Sequence, residues 1–117
     1  MITNEIIIKK SRFITYLYNL DNVDEIKTII EDLKKEHKKA RHIVYAYNIN
    51  NQIKYYEDGE PKGTAGTPIL NVIQKSNLSN VLIVIVWYFG GIKLGASGLF
   101  RAYSNSASEI VKKTNES

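Results

Sequence analysis

The chain has 117 residues, enough for one domain with a proper core and too few for two. Its 44% apolar and 24% charged residues exclude a disordered chain, and no apolar run reaches the roughly 18–20 residues of a membrane span. The absence of cysteine excludes disulfides and thiolate chemistry and fits the cytoplasm, while a net charge of +4 tolerates nucleic acid as a partner without demanding it.

Ile6-Ile7-Ile8 and the run from Phe13 to Tyr18 read as strands. The charged break Lys9-Lys10-Ser11-Arg12 makes them either one bent strand or a hairpin. Asp21 is the expected N-cap of a helix that reaches about Lys39, with Val23, Ile26, Ile30 and Leu33 in one stripe. Asp24 and Glu25 at its start and Lys34, Lys35, Lys38 and Lys39 at its end complement the helix dipole. The basic cluster reads as a solvated helix end rather than a phosphate patch. Strands follow over His42–Tyr47 and Ile53–Tyr56, joined through residues 48–52. After the loop from Glu57 to Gly63, Thr64 or Thr67 is the expected cap of a helix through Ile69, Leu70, Ile73 and Gln74. Pro68 is acceptable in its first turn.

The stretch from Val81 to Phe89 is an unbroken, β-branched apolar run and reads as a strand buried on both faces. It breaks at Gly90-Gly91 and again at Gly95. A last helix after Gly98 buries Leu99, Ala102, Tyr103, Ala107, Ile110 and Val111 and frays over residues 114–117. This order predicts an α+β fold, a two-layer sandwich of a mixed sheet with its helices on one face. The other face is then open, or closed by a partner.

Strand, glycine turn and helix start direct backbone N–H groups, with Lys93 and Arg101, at whatever lies beyond the strand end. Gly90 and Gly95 have Walker spacing, but Ala96 stands where that motif needs lysine. Gly95-Ala96-Ser97-Gly98 has the spelling of a KH loop without its two flanking helices. A generic anion site remains, beside the plainer reading that the glycines serve close strand–helix packing. Glu57, Asp58 and Glu60 offer carboxylates for a cation or a base, but no second group completes a metal shell. Two histidines are too few for zinc, and no nucleophile–base arrangement is recognisable. No catalytic residue, metal or cofactor is therefore expected, and the acidic loop reads as docking a partner or packing beside the glycine loop. Tyrosines on an open sheet could stack bases, although they also simply suit strands.

Several strings together resemble the YigZ/IMPACT family: Ala40-Arg41-His42, Tyr45-Ala46-Tyr47, the run from Asp58 to Leu70, Tyr88-Phe89-Gly90-Gly91-Ile92-Lys93-Leu94-Gly95, and Gly98-Leu99-Phe100-Arg101-Ala102-Tyr103-Ser104. The resemblance extends from Lys10-Ser11-Arg12-Phe13 onward. It implies the fold of the second domain of ribosomal protein S-five, also found in domain IV of elongation factor G and in the GHMP kinases. It also implies a non-catalytic binding module in the regulation of translation, contacting RNA, the ribosome or a translation-regulator protein. Eukaryotic relatives compete for the co-activator of the starvation-responsive initiation-factor kinase.

The surface expected to carry this comprises Arg41, His42, Lys62, Gly90, Gly91, Lys93, Gly95, Ser97 and Arg101, with Asp58, Gly59, Glu60 and Trp87 docking a partner. By analogy with the kinases, the alternative is an enzyme or sensor for a small phosphorylated ligand or nucleotide at the loop from Gly90 to Leu99. One departure stands out. The family usually has arginine before Tyr-Phe-Gly-Gly, and here Trp87 shares a strand face with Ile83 and Ile85. On an open face it would be an apolar plate for stacking or protein contact. Relatives commonly add a ferredoxin-like domain, so residues 1–117 are expected to be the first domain alone, with that second domain absent.

Overall fold

The computed structural model describes residues 1–115. Its elements run β1 (Ile2–Ile8), β2 (Ser11–Asn19), α1 (Ile26–Glu36), β3 (His42–Ile49), β4 (Gln52–Tyr56), α2 (Gly66–Lys75), β5 (Val81–Tyr88) and α3 (Gly95–Asn115), with a short 3₁₀ turn over Val23–Glu25. The strands form one sheet in the order β1-β2-β5-β3-β4. Lys9 and Lys10 both take positive φ, as do Asn50 and Asn51, so each hairpin turns in two residues whose twist matches the strands. The first two strands are thus a hairpin rather than one bent strand.

The last strand in sequence is the middle one in space. Phe13, Thr15 and Leu17 of β2 pair with Trp87, Ile85 and Ile83, and on the other side His42, Val44 and Ala46 of β3 pair with the same three residues. Alternate residues of β5 then point to opposite faces. Ile83, Ile85 and Trp87 pack with Ile69 and Ile73 of α2 and Leu99, Tyr103 and Ile110 of α3. Leu82, Val84 and Val86 pack with Ile26, Ile30 and Leu33 of α1.

The α+β class is as expected, and two particulars differ. All four strand pairings are antiparallel, so the sheet is not mixed. The helices also divide between the faces, α2 and α3 on one and α1 on the other. The reason lies in β5: seven consecutive apolar residues, Val81 to Trp87, are buried, and both rows need an apolar cover. Element ends shift too. Asn22, not Asp21, caps the first helical turn, its Oδ1 accepting from the Asp24 N–H at 2.9 Å. α1 stops at Glu36 because His37 leaves helical geometry, with its ring held between Tyr16 and Tyr88. α3 begins at Gly95, and of the expected fraying over 114–117 the last two residues lie outside the described ones.

Gly90 fastens the end of β5 to the β1–β2 turn. A Cβ there would lie 2.1 Å from the carbonyl carbon of Lys10 and 2.5 Å from the Ser11 nitrogen, and the Gly90 N–H donates to the buried Ser11 Oγ at 3.1 Å. Backbone cannot yield as a side chain can, so Gly90→Ala is expected to destabilise by about 3 kcal/mol or more. At Gly63, with φ +80 and open space around it, alanine meets only the left-handed backbone penalty of about 1 kcal/mol. Urea unfolding of the two variants checks the ranking, and equal midpoints would contradict the crossing.

Candidate functional site

Three segments meet at the end of the sheet where β3 begins and β5 finishes. The first is the loop after β4. The N-terminus of α2 has no side-chain cap of its own at Ala65. The Glu57 carboxylate supplies one across the loop, accepting the N–H groups of Gly63, Ala65 and Gly66 at 2.8, 3.0 and 3.2 Å. A negative charge at this helix end also suits the dipole. Thr64 instead donates to the Pro61 carbonyl, and Thr67 lies 3.4 Å from Glu57, so neither is the cap the sequence pointed to.

Asp58 and Glu60 also turn inward. Asp58 accepts the Ile43 N–H at 2.9 Å and the Tyr56 hydroxyl at 3.1 Å. His42 bridges the two acids, with Nδ1 3.4 Å from Asp58 Oδ2 and Nε2 3.3 Å from Glu60 Oε1. The other Glu60 oxygen accepts the Tyr103 hydroxyl at 2.7 Å. Burial pushes the Glu60 carboxyl above its ordinary range, against the lowering pull of Tyr103 and His42. The Tyr103 hydroxyl is pushed well up, by burial first and by Glu60 second. What the loop presents outward is Gly59, Pro61 and Lys62.

Trp87 lies beneath this cluster, 6% exposed. Its ring stacks between Phe13 at 6.0 Å and His42 at 5.7 Å. It does share a face with Ile83 and Ile85, but that face is the one covered by α2 and α3, so it is no exposed apolar plate. Its Nε1 is buried without a hydrogen-bond partner.

The glycine loop closes the site. Phe89 packs edge-on against Trp87, and the Arg41 guanidinium lies 4.7 Å from the Phe89 ring centre. Arg41, Phe89 and Lys93 rim a cleft of about 270 Å³ whose walls are Pro61, Trp87 and the first turn of α3. Gly91 and Gly95 take φ of +94 and +75, which shape the approach to that helix. Ser97 is exposed in its first turn. Arg101 is not brought here: it lines a separate cleft with Ile8, Lys9 and Leu94. Among the described residues, Arg41, Lys62, Lys93 and Arg101 form no ion pair.

Sequence reasoning read the basic end of α1 as a solvated helix end and left His37 and its lysines out of the site. Lys34, His37 and Lys38 join Arg41, His42 and Asp58 around a neighbouring cleft of about 210 Å³. Spacing carried a signal, since Lys34 and Lys38 are four apart on one helix face and Arg41 follows. No group of His, Asp or Glu among the described residues could hold a metal ion, and no helix there is long and apolar enough to cross a membrane. The acids are spent internally, and the cations face out around an apolar cleft.

The profile of the Impact N-terminal domain matches residues 9–111. The chain is similar to the IMPACT family member YvyE of Bacillus subtilis (strain 168), 49% identical over 109 residues, covering 91% of this chain and 50% of that one. It is 39% identical over 111 residues to the IMPACT family member YigZ of Escherichia coli (strain K12), covering 91% and 54%. The chain thus spans about half the length of the curated relatives it matches. A crystal structure of a hypothetical protein superposes with a TM-score of 0.90 at 38% identity, covering 95% of this chain and 56% of that one. The two-domain translational regulator Yih1 superposes at 0.56 with 22% identity, covering 94% and 45%, a likeness of fold.

Glu57→Gln keeps the shape but weakens the charge-assisted cap, and is expected to lower stability by about 1–3 kcal/mol in urea unfolding. Glu60 gives a pH prediction. Its folded pKa lies above its ordinary value of 4.5, so over that interval the native chain holds a proton that the unfolded chain has released. Stability relative to Glu60→Gln should therefore be greatest below about pH 4.5 and fall as pH rises through the raised pKa. Unfolding midpoints of both proteins across pH 4 to 7 read this directly, and a difference that grows with pH would contradict it.

Proposed function

Because this chain belongs to the Impact N-terminal domain family, we propose that it is a non-catalytic binding module that acts in the regulation of translation, through contacts with RNA, the ribosome or a translation-regulator protein. The observation that carries the reading is the separation of charge at the end of the sheet. Glu57, Asp58 and Glu60 are consumed by backbone N–H groups, Tyr56, Tyr103 and His42. Arg41 and Lys93 stand exposed at the rim of the cleft. A rigid inner network that holds unpaired cations outward is suited to meeting a polyanion. The description of Yih1 as a translational regulator supports the process at the level of a shared fold.

A second reading has its own observation. The apolar cleft at the start of α3, with Arg41 and Lys93 at its mouth and an unpartnered Trp87 Nε1 in its wall, suits a small phosphorylated ligand. A nucleotide at about 100 times its Kd would add roughly 2.7 kcal/mol of stability. A thermal-shift series with nucleotides that leaves the midpoint unmoved would remove this reading.

The main reading is tested by binding of the chain to structured RNA and to ribosomes at low and at physiological salt. Saturable binding that weakens with salt is expected. Arg41→Ala with Lys93→Ala should reduce the slope of log K on log salt by about 0.7–0.9 for each lost phosphate contact. Arg101→Ala, which removes a cation from a different cleft, should change it less. Absence of binding at low salt would turn the search to protein partners.

A further inference from the structure

We infer that a single strand of nucleic acid runs along a continuous channel, from the groove between α1 and the β3–β4 hairpin, around the end of the sheet, to the glycine loop. The inference rests on the binding-module reading and names the form of its ligand and a path extending well beyond the cleft at Arg41 and Lys93.

The path is drawn by shared walls. The groove beside α1, about 500 Å³, is lined by Lys27 and Lys34 on the helix and by Tyr45, Tyr47 and Lys54 on the hairpin. Lys34 also lines the cleft at the end of α1, and Arg41 of that cleft lines the one at the start of α3. Each cleft therefore shares a cation with the next, Lys34 and then Arg41. Lys27, Lys34, Lys38, Arg41, Lys54 and Lys93 face the path, all exposed and none in an ion pair among the described residues. Against these six stand Glu31, which lines the first groove, and Asp58, already committed to Ile43 and Tyr56. The uncovered hairpin supplies flat surfaces. The Tyr45 ring lies 5.4 Å from that of Tyr56, which is 43% exposed, and the Arg41 guanidinium sits on Phe89 at the far end. Cations beside one exposed ring, Tyr56, and the partly exposed rings of Tyr45 and Phe89 suit a backbone whose bases stack.

Stiffness selects the form. The path turns from one face of the sheet to the other within a body of 38 × 29 × 29 Å. Duplex DNA, with a persistence length of about 50 nm, follows such a turn only at a bending cost of several kcal/mol, whereas an unpaired strand bends freely.

The test uses fluorescence anisotropy with a labelled uridine oligonucleotide of about eight residues, within the 4–16 nucleotides that small domains occupy. Its competitors are a duplex RNA of the same length and an inorganic polyphosphate of matched charge. Lys27→Ala with Lys54→Ala, at the end away from the glycine loop, should lower the salt slope by about 1.4. Tyr56→Ala should weaken the single strand at least about fivefold and leave polyphosphate unchanged. If the oligonucleotide binds and responds to Arg41→Ala with Lys93→Ala but ignores the hairpin variants, the channel is refuted and the module reading survives. If duplex or polyphosphate competes as well as the single strand, the assignment to an unpaired strand falls. If neither the oligonucleotide nor structured RNA binds at low salt, the channel and the nucleic-acid form of the module reading both fail, and only its protein-partner form survives.

Discussion

Everything in this fold depends on one strand having no exposed side. β5 carries two apolar rows, and each of its backbone edges bonds to a neighbour, β2 on one side and β3 on the other. An isolated strand of this composition would be insoluble. It is tolerated because α1 covers one row and α2 with α3 cover the other. Burial at roughly 25 cal/mol per Å² makes the closing of both faces the main favourable contribution to folding. The site inherits this rigidity, since the carbonyl of Trp87 receives the Arg41 N–H at 2.7 Å and the ring of Trp87 supports His42.

Much of this was legible, and the errors have physical causes. The unbroken run from Val81 announced a two-sided strand, yet stacking every helix on one face contradicted that announcement. The stripe Val23, Ile26, Ile30 and Leu33 states only that α1 has an apolar side, not which side of the sheet it meets. Trp87 shows the same gap: alternation placed it correctly beside Ile85, but its cover comes from helices distant in sequence. The cap of α2 was hidden because it arrives from Glu57 across a loop, while cap signals are read from the neighbouring threonines. Arg41-His42, Asp58 to Glu60 and the glycine loop carry no spacing that reveals their meeting. Their convergence follows from β3 lying beside β5.

The polar architecture of the site is layered by accessibility. Inside, hydrogen bonds from the Ile43 N–H and the Tyr103 hydroxyl and close contacts of His42 with both acids tie Asp58, Glu60, His42 and Tyr103 into one unit, and connected polar networks of this kind restrict motion. Outside, long flexible cations remain free to adapt to a partner. The inner layer sets where the outer charges originate, because the same loop and strand that hold the network also carry the cleft's walls.

The strand order has a further consequence for how the chain comes into being. During synthesis the hairpins β1–β2 and β3–β4 emerge with β5 still unmade, each presenting an apolar strand whose future partner does not yet exist. β2 and β3 cannot pair with each other in the native manner because their place is on opposite sides of β5. Neither half-sheet can complete its native pairing before residues 81–88 are made, because both bond to that strand. The crossing of Gly90 over Ser11, 79 residues apart, is the fastening that registers the completed assembly.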